Sequence, residues 1–198
     1  MKKYLNKFNW SKLYKEKKYW SKDIIEDLRS NHAGETGAVY IYKGALQASK
    51  IVPNNISEKA INFSKEHLET EKEHLYLFNK LFETENYKSK LIPLWRISGY
   101  SLGFFPTLFF GDRGLFLTVG AVETFVEKHY SEQIKRNKNY PETIKLLNVC
   151  CNDEILHKEQ ANLFFNNINN FKNNKIIFLW KKIIEKGSSV AVSICKKI

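Results

Sequence analysis

Cysteine, proline and arginine are all scarce in this 198-residue chain, and each scarcity removes a class of protein. The three cysteines, Cys150, Cys151 and Cys195, form no C-x-x-C pair and leave an odd count for a disulfide framework, so a reducing compartment is expected. Four prolines and nine glycines, beside 43% hydrophobic residues, argue against disorder and against a fibrous repeat. Only four of the 32 basic residues are arginine (Arg29, Arg96, Arg113, Arg136), the residue suited to bidentate phosphate recognition. The net charge of +11 therefore reads as generic attraction to anions, and no nucleic-acid partner is expected. Residues 1–22 lack the apolar stretch of a secretory signal, and nowhere do roughly 18 uncharged apolar residues run together as a spanning helix requires.

What is present is helical periodicity with few breakers. Length predicts one domain: a basic, aromatic-rich arm over residues 1–22 and a helical domain over 23–198. The first long helix opens near Asp23, with Glu26 at capping-box spacing, and stops before Pro53-Asn54-Asn55. A second runs from Ser57 to about Glu85, a fourth from Gly111-Asp112 to about Asn137, a fifth from about Pro141 to Ile168. The Asn-rich stretch 166–174 reads as a loop, and a last helix covers 175–197. Between the second and fourth, residues 91–110 leave little polar surface, so this third segment is no ordinary solvated helix.

Two helices carry Glu-x-x-His, Glu71 with His74 and Glu154 with His157, where chance predicts fewer than one such pair from seventeen Glu and five His. Residues three apart share a helix face, so each pair can offer a carboxylate and an imidazole to one point. One helix earlier in each half stands a lone glutamate among small or apolar residues: Glu35 in His32-Ala33-Gly34-Glu35-Thr36-Gly37, and Glu123 in Val119-Gly120-Ala121-Val122-Glu123. A carboxylate on a buried helix face is costly unless it is paired, protonated or bound to metal. Two helix pairs folded together would deliver four carboxylates and two imidazoles to a bundle centre. That is the ligand set of ferritin-like di-iron or di-manganese sites, in which four carboxylates balance two divalent cations. The expected fold is accordingly an all-α, ferritin-like four-helix bundle with additional apolar or amphipathic helices. His67, Glu127 and Cys150 lie one turn from these residues and are assigned flanking or packing roles, while Glu66, Glu69, Glu73 and Glu159 read as solvated.

Arg29-Ser30-Asn31-His32-Ala33-Gly34-Glu35-Thr36-Gly37-Ala38 resembles the H-A-G-E-x-G-A motif of the demethoxyubiquinone hydroxylases, di-iron quinone hydroxylases of ubiquinone biosynthesis. Further matches follow in order: Glu71-Lys72-Glu73-His74-Leu75, Pro93-Leu94-Trp95, Ala121-Val122-Glu123, His129-Tyr130 with Gln133-Ile134, and Asp153-Glu154-Ile155-Leu156-His157. The resemblance covers roughly residues 23–198. It places the six iron ligands on Glu35, Glu71, His74, Glu123, Glu154 and His157, the set the helix faces select. Two departures stand out, Asn31 where the family commonly has Asp, and Thr124 where it has a second Glu.

The resemblance implies a monooxygenase that hydroxylates a polyprenyl methoxy-methyl-benzoquinone with two Fe, O2 as co-substrate and NADH as reductant. It also implies peripheral attachment to the cytoplasmic face of a cell or inner membrane, alone, as a homo-oligomer, or with other proteins of ubiquinone biosynthesis. Residues 91–110 would then lie on the membrane surface, although core or dimer interface fits the same composition. Tyr130 matches a His-Tyr pair of the family and lies two helical turns beyond Glu123, so it is assigned a catalytic role beside the metals, against the alternative of a core tyrosine. Three other readings share parts of the pattern: a ferritin-like peroxidase or iron-handling protein, a di-iron tRNA hydroxylase, and a membrane-bound helical module without activity. The last leaves Glu123 unexplained.

Overall fold

Apolar residues recur with a helical period along nearly the whole sequence, and they pack accordingly. The computed structural model describes residues 4–85, 87–168 and 174–197, which form six helices and, among the described residues, no strand. These are α1 (Trp10–Lys17), α2 (Lys22–Ile51), α3 (Glu58–Leu81), α4 (Ile92–Arg136), α5 (Pro141–Ile168) and α6 (Asn174–Lys197). The fold is an all-α, ferritin-like bundle in which α2, α3, the second half of α4 and α5 surround the centre. The remaining helices close its flanks, α6 packing on α2 and α4.

Local chemistry sets the helix ends. Ser21, two residues ahead of the expected Asp23 start, caps α2 by accepting the Ile24 amide, and Asp23 falls within the first turn. Ser57 caps α3 by accepting the Ala60 amide at 3.1 Å. That helix stops at Leu81, short of the expected Glu85, and Lys17 donates from its buried ammonium to the Leu81 carbonyl at 2.7 Å. The adjacent Glu16 accepts the Glu142 and Thr143 amides at the start of α5, at 3.1 and 2.7 Å. Neighbouring residues of α1 thus place a cation at one helix C-terminus and an anion at another helix N-terminus, each where the macrodipole favours it. The segment read from sequence as an arm is packed on the bundle from Tyr4 onward, with Leu13 and Trp20 buried. Most of the expected Asn-rich loop lies outside the described residues.

α4 joins two expected helices, and its break falls at Gly111, where φ is 61° and ψ is −142°. This left-handed conformation is open to glycine, and a Cβ there would also stand 2.4 Å from the Asn55 carbonyl oxygen. The apolar half before the kink lies backbone to backbone on α2. A Cβ on Gly99 would meet the Gly37 carbonyl oxygen at 2.2 Å, and one on Gly103 would meet that of Ile41 at 1.8 Å. This small-xxx-small pairing lets residues 92–110 approach α2 more closely than side chains would allow.

Two apolar clusters fill the bundle, one around Leu28, Phe78, Tyr130 and Leu147, the other around Ala45, Phe63, Phe116 and Phe165. Along every bundle helix, the residues between the two clusters include the glutamates singled out above. Because the Gly103 contact is backbone against backbone, Gly103→Ala should destabilise the protein by on the order of 1–3 kcal/mol through overpacking. Gly187→Ala, with nothing within 4 Å of its added methyl, should instead gain up to about 1 kcal/mol of helix propensity. Urea unfolding of both variants checks the pair; equal stabilities would contradict the close approach.

Candidate metal centre

The central stretch of each bundle helix contributes one part of a single cluster. α2 supplies Glu35, α3 Glu71 and His74, α4 Glu123, and α5 Glu154 and His157, all between 0 and 4% exposed. Their ligand atoms fall into two groups of four: Glu35, Glu71, His74 and Glu154, then Glu71, Glu123, Glu154 and His157. Within each group these atoms lie within 4.8 Å of one another. Glu71 and Glu154 belong to both groups, so the arrangement offers two adjacent cation positions that share two carboxylates, with one Glu and one His at either end.

The imidazoles face inward through Nδ1. That of His74 is 3.3 Å from Glu35 Oε2 and 3.2 Å from Glu154 Oε1. The His157 Nδ1 is 3.1 Å from Glu71 Oε1 and 3.2 Å from Glu154 Oε2. Despite these short separations, both Nδ1 atoms, both Glu71 oxygens, Glu35 Oε2 and Glu154 Oε2 are buried without an aligned hydrogen-bond partner. Buried polar atoms are normally satisfied, and so many orphans converging on one point are what a cation-binding site leaves when seen through its protein atoms alone. The donor set of carboxylate and imidazole fits iron or manganese.

Charge carries the same message. Burial pushes the Glu71 and Glu123 carboxyls well above the usual glutamate range, and the neighbouring Glu154 carboxylate pushes them further. Burial would raise Glu154 too, but the His157 and His74 imidazoles, each 3.2 Å away, hold it below that range. Burial alone would lower both imidazoles. Cys150, Glu35, Asp153 and Glu154 around His74, and Glu154 with Glu123 around His157, raise them instead.

Around the cluster, the Tyr130 hydroxyl donates to Glu35 Oε1, so this tyrosine sits against a candidate ligand. Sequence reasoning passed over Asp153, whose Oδ2 lies 3.0 Å from His74 Nε2 and fixes the ring with Nδ1 inward. Its position directly before Glu154 gave no helix-face signal, because the partner comes from α3. His67 is buried, with Nε2 3.0 Å from Gln160 Oε1 and its ring 3.9 Å from that of His157, so it supports the cluster from outside. Glu127 pairs with Lys158 at 2.5 Å at the periphery. Of the two departures, Asn31 forms a reciprocal amide pair with Gln133 at 2.7 and 2.9 Å, and exposed Thr124 donates to its own helix at Gly120.

A cavity of about 490 Å³ opens beside the cluster between α2, both halves of α4, and α6. Ile41, Trp95, Leu102 and Val122 are among its apolar walls, and Glu35, Glu123, Glu154 and Tyr130 reach its lining. Its size and character suit an apolar ring with a few oriented polar groups.

Residues 22–195 match the model of the family described as "Ubiquinone biosynthesis protein COQ7". The chain is 32% identical over 151 residues to a Dictyostelium discoideum protein named "NADPH-dependent 3-demethoxyubiquinone 3-hydroxylase, mitochondrial", covering 72% of this chain and 65% of that protein. A Caenorhabditis elegans protein of the same name is 29% identical over 184 residues, covering 88% of this chain and 90% of its own. The Rhodospirillum rubrum "3-demethoxyubiquinol 3-hydroxylase" is 31% identical over 112 residues, covering 55% of this chain and 49% of its own. The chain thus spans less than two thirds of the length of the Dictyostelium and Rhodospirillum relatives. The nicotinamide in the eukaryotic names is NADPH, where the sequence resemblance implied NADH.

The raised carboxyls fix how the metal-free protein responds to pH. A carboxyl whose folded pKa exceeds its unfolded value holds its proton more tightly when folded, so its contribution is favourable at low pH and is lost as pH rises above about 4.3. Stability of the metal-free protein should therefore fall with rising pH on account of Glu71 and Glu123, and the Glu71→Gln/Glu123→Gln double variant should show a flatter fall. Urea titrations in chelator from pH 5 to 8 measure both slopes, and parallel curves would contradict the assignment.

Proposed function

Because the chain belongs to the ubiquinone biosynthesis protein COQ7 family, we propose that it is a di-iron monooxygenase that hydroxylates the ring of a polyprenyl methoxy-methyl-benzoquinone, demethoxyubiquinone, in its reduced form. The observation that carries this reading is the pair of four-ligand groups sharing Glu71 and Glu154 at the edge of an apolar cavity. In this reading Glu35 and His74 would hold one iron and Glu123 and His157 the other, with Glu71 and Glu154 within reach of both positions. Two ferrous ions held there would supply electrons for the reduction of dioxygen.

The overall change inserts one oxygen atom into a ring C–H bond and releases the other as water, using two electrons and two protons. A reduced nicotinamide, NADPH in the relatives' names, is the electron source by class. The chain's own residues do the rest. Apolar walls orient the ring and exclude water, Asp153 holds the His74 ring in register, and Tyr130 keeps a proton on the hydrogen bond to Glu35. Product analysis by mass spectrometry after supplying demethoxyubiquinone, a reduced nicotinamide, iron and oxygen tests the activity. Glu123→Ala and Glu154→Ala should abolish hydroxylation, whereas Tyr130→Phe should retain iron and lose part of its turnover. Wild-type turnover in all three would refute the site, and iron loss in Tyr130→Phe would make that tyrosine structural.

The substrate's tail belongs in a bilayer, and the helices that wall the cavity carry the matching surface. Leu94, Ile97, Phe105, Phe109 and Phe110 on α4 are exposed, as are Ile176, Phe178 and Leu179 on α6. No helix among the described residues is long and apolar enough to cross a membrane. We therefore assign these faces to shallow insertion in a lipid surface, next to a basic exterior that favours an acidic leaflet. Each large apolar side chain moved from water into lipid gains on the order of 1.5–3 kcal/mol. Replacing Phe105, Phe109 and Phe110 by Ser should thus weaken sedimentation with anionic liposomes severalfold or more. Unchanged binding would make these faces a protein interface.

A further inference from the structure

We propose that Cys150 gives this cluster a second, mutually exclusive way of holding a cation: a thiophilic divalent ion such as zinc bound by Cys150 Sγ, His74 Nδ1 and the Glu35 carboxylate. The proposal rests on the same cluster as the di-iron reading but adds a ligand which that reading does not use. Cys150 stands one helical turn before Glu154 on α5, so its side chain leaves the helix on the face of the metal ligands. Its sulfur, a Glu35 oxygen and a His74 nitrogen lie within 4.8 Å of one another, and all three residues are buried.

The second observation is the state of the other two ligands. The His74 Nδ1 and Glu35 Oε2 atoms, 3.3 Å apart, are both buried without a hydrogen-bond partner. Asp153 occupies the opposite ring nitrogen of His74 at 3.0 Å, which leaves Nδ1 as the coordinating atom. The remaining cysteines are turned elsewhere: Cys151 Sγ is 4.0 Å from the Ser131 hydroxyl, and Cys195 Sγ is 3.9 Å from the Arg29 carbonyl oxygen of α2.

One sulfur, one nitrogen and one carboxylate oxygen, with Glu154 Oε1 3.2 Å from the same His74 Nδ1 as a fourth donor, form a zinc-type set, softer than the sulfur-free setting of the two shared groups. Binding breaks the Cys150 S–H bond, forms a sulfur–metal bond and releases the proton to solvent, with no change of oxidation state. Because Glu35 and His74 belong to one of the two iron positions, a zinc ion held this way and a complete iron pair cannot coexist. Cys150 thereby makes the centre open to capture by soft metals.

The test uses the metal-free full-length protein titrated with Co²⁺ and with Cd²⁺, reading the thiolate-to-metal charge-transfer absorption. Wild type and Cys151→Ser should each develop the band with one equivalent of ion, and Cys150→Ser and His74→Gln should lose it. Cys150→Ser should still take up Mn²⁺ like wild type, as read by electron paramagnetic resonance, and should need more Zn²⁺ to displace that Mn²⁺. A wild type without the band, or a Cys150→Ser variant that keeps it, overturns the proposal. Failure of Mn²⁺ uptake by the wild type would instead strike the two-metal reading, and a thiolate band that persisted alongside it would leave the Cys150 site standing.

Discussion

Four carboxylates from four helices share one dry space, and everything around them is arranged to tolerate that. In a low-dielectric interior like charges a few ångströms apart repel strongly and lose their hydration, so such a cluster persists only when protons or cations occupy it. Two imidazoles aimed inward through Nδ1 take up part of the imbalance, and the unpartnered oxygens of Glu71 and Glu154 are free to take a cation. The apolar clusters on either side hold the helices at a fixed spacing despite the repulsion at the centre. Packing stability is thus concentrated in the two apolar clusters, and the ionisable groups in the layer between them.

That layer is accessible only because of how α4 is built. Before Gly111 the helix runs against α2 through glycine contacts and presents phenylalanines outward; after it, the same helix enters the bundle and brings Glu123 to the cluster. One continuous element therefore connects an exposed apolar face with the buried carboxylates. The cavity between the two halves follows from the kink, with α6 as an outer wall. This wall is fastened near its end by Lys196, which donates to Asp27 at 2.6 Å and whose carbonyl accepts from Arg29 at 2.9 Å.

Supporting residues divide by how they reach the centre. Asp153 and Tyr130 touch candidate ligands directly and orient them, while His67 acts through its ring contact with His157. The Asn31 and Gln133 amide pair keeps its position neutral beside the cavity, where the family's usual acid would add another negative charge, and Thr124 takes no part because its helix turns it to solvent. Both departures are therefore compatible with an intact six-residue cluster.

Much of this was legible in the sequence because the decisive signals are local. Glu-x-x-His spacing fixes two residues on one helix face, and a lone acid among small and apolar neighbours, as at Glu35 and Glu123, announces burial through its own flanks. A break at Gly111-Asp112 was readable for the same reason, as a boundary between two helices, although the structure joins them in one kinked element. Other features depend on residues far apart in the chain, and no local pattern carries them. Lys17 reaches the Leu81 carbonyl across 64 positions, Asp153 meets His74 across 79, and Tyr130 finds Glu35 across 95. The sequence by itself determined which side chains share a helix face, because that follows from 3.6 residues per turn. Only the tertiary structure decided which faces meet, that Glu71 and Glu154 are common to both groups of ligands, and that Cys150 comes within reach of Glu35 and His74, because interhelical register is set by packing between distant segments.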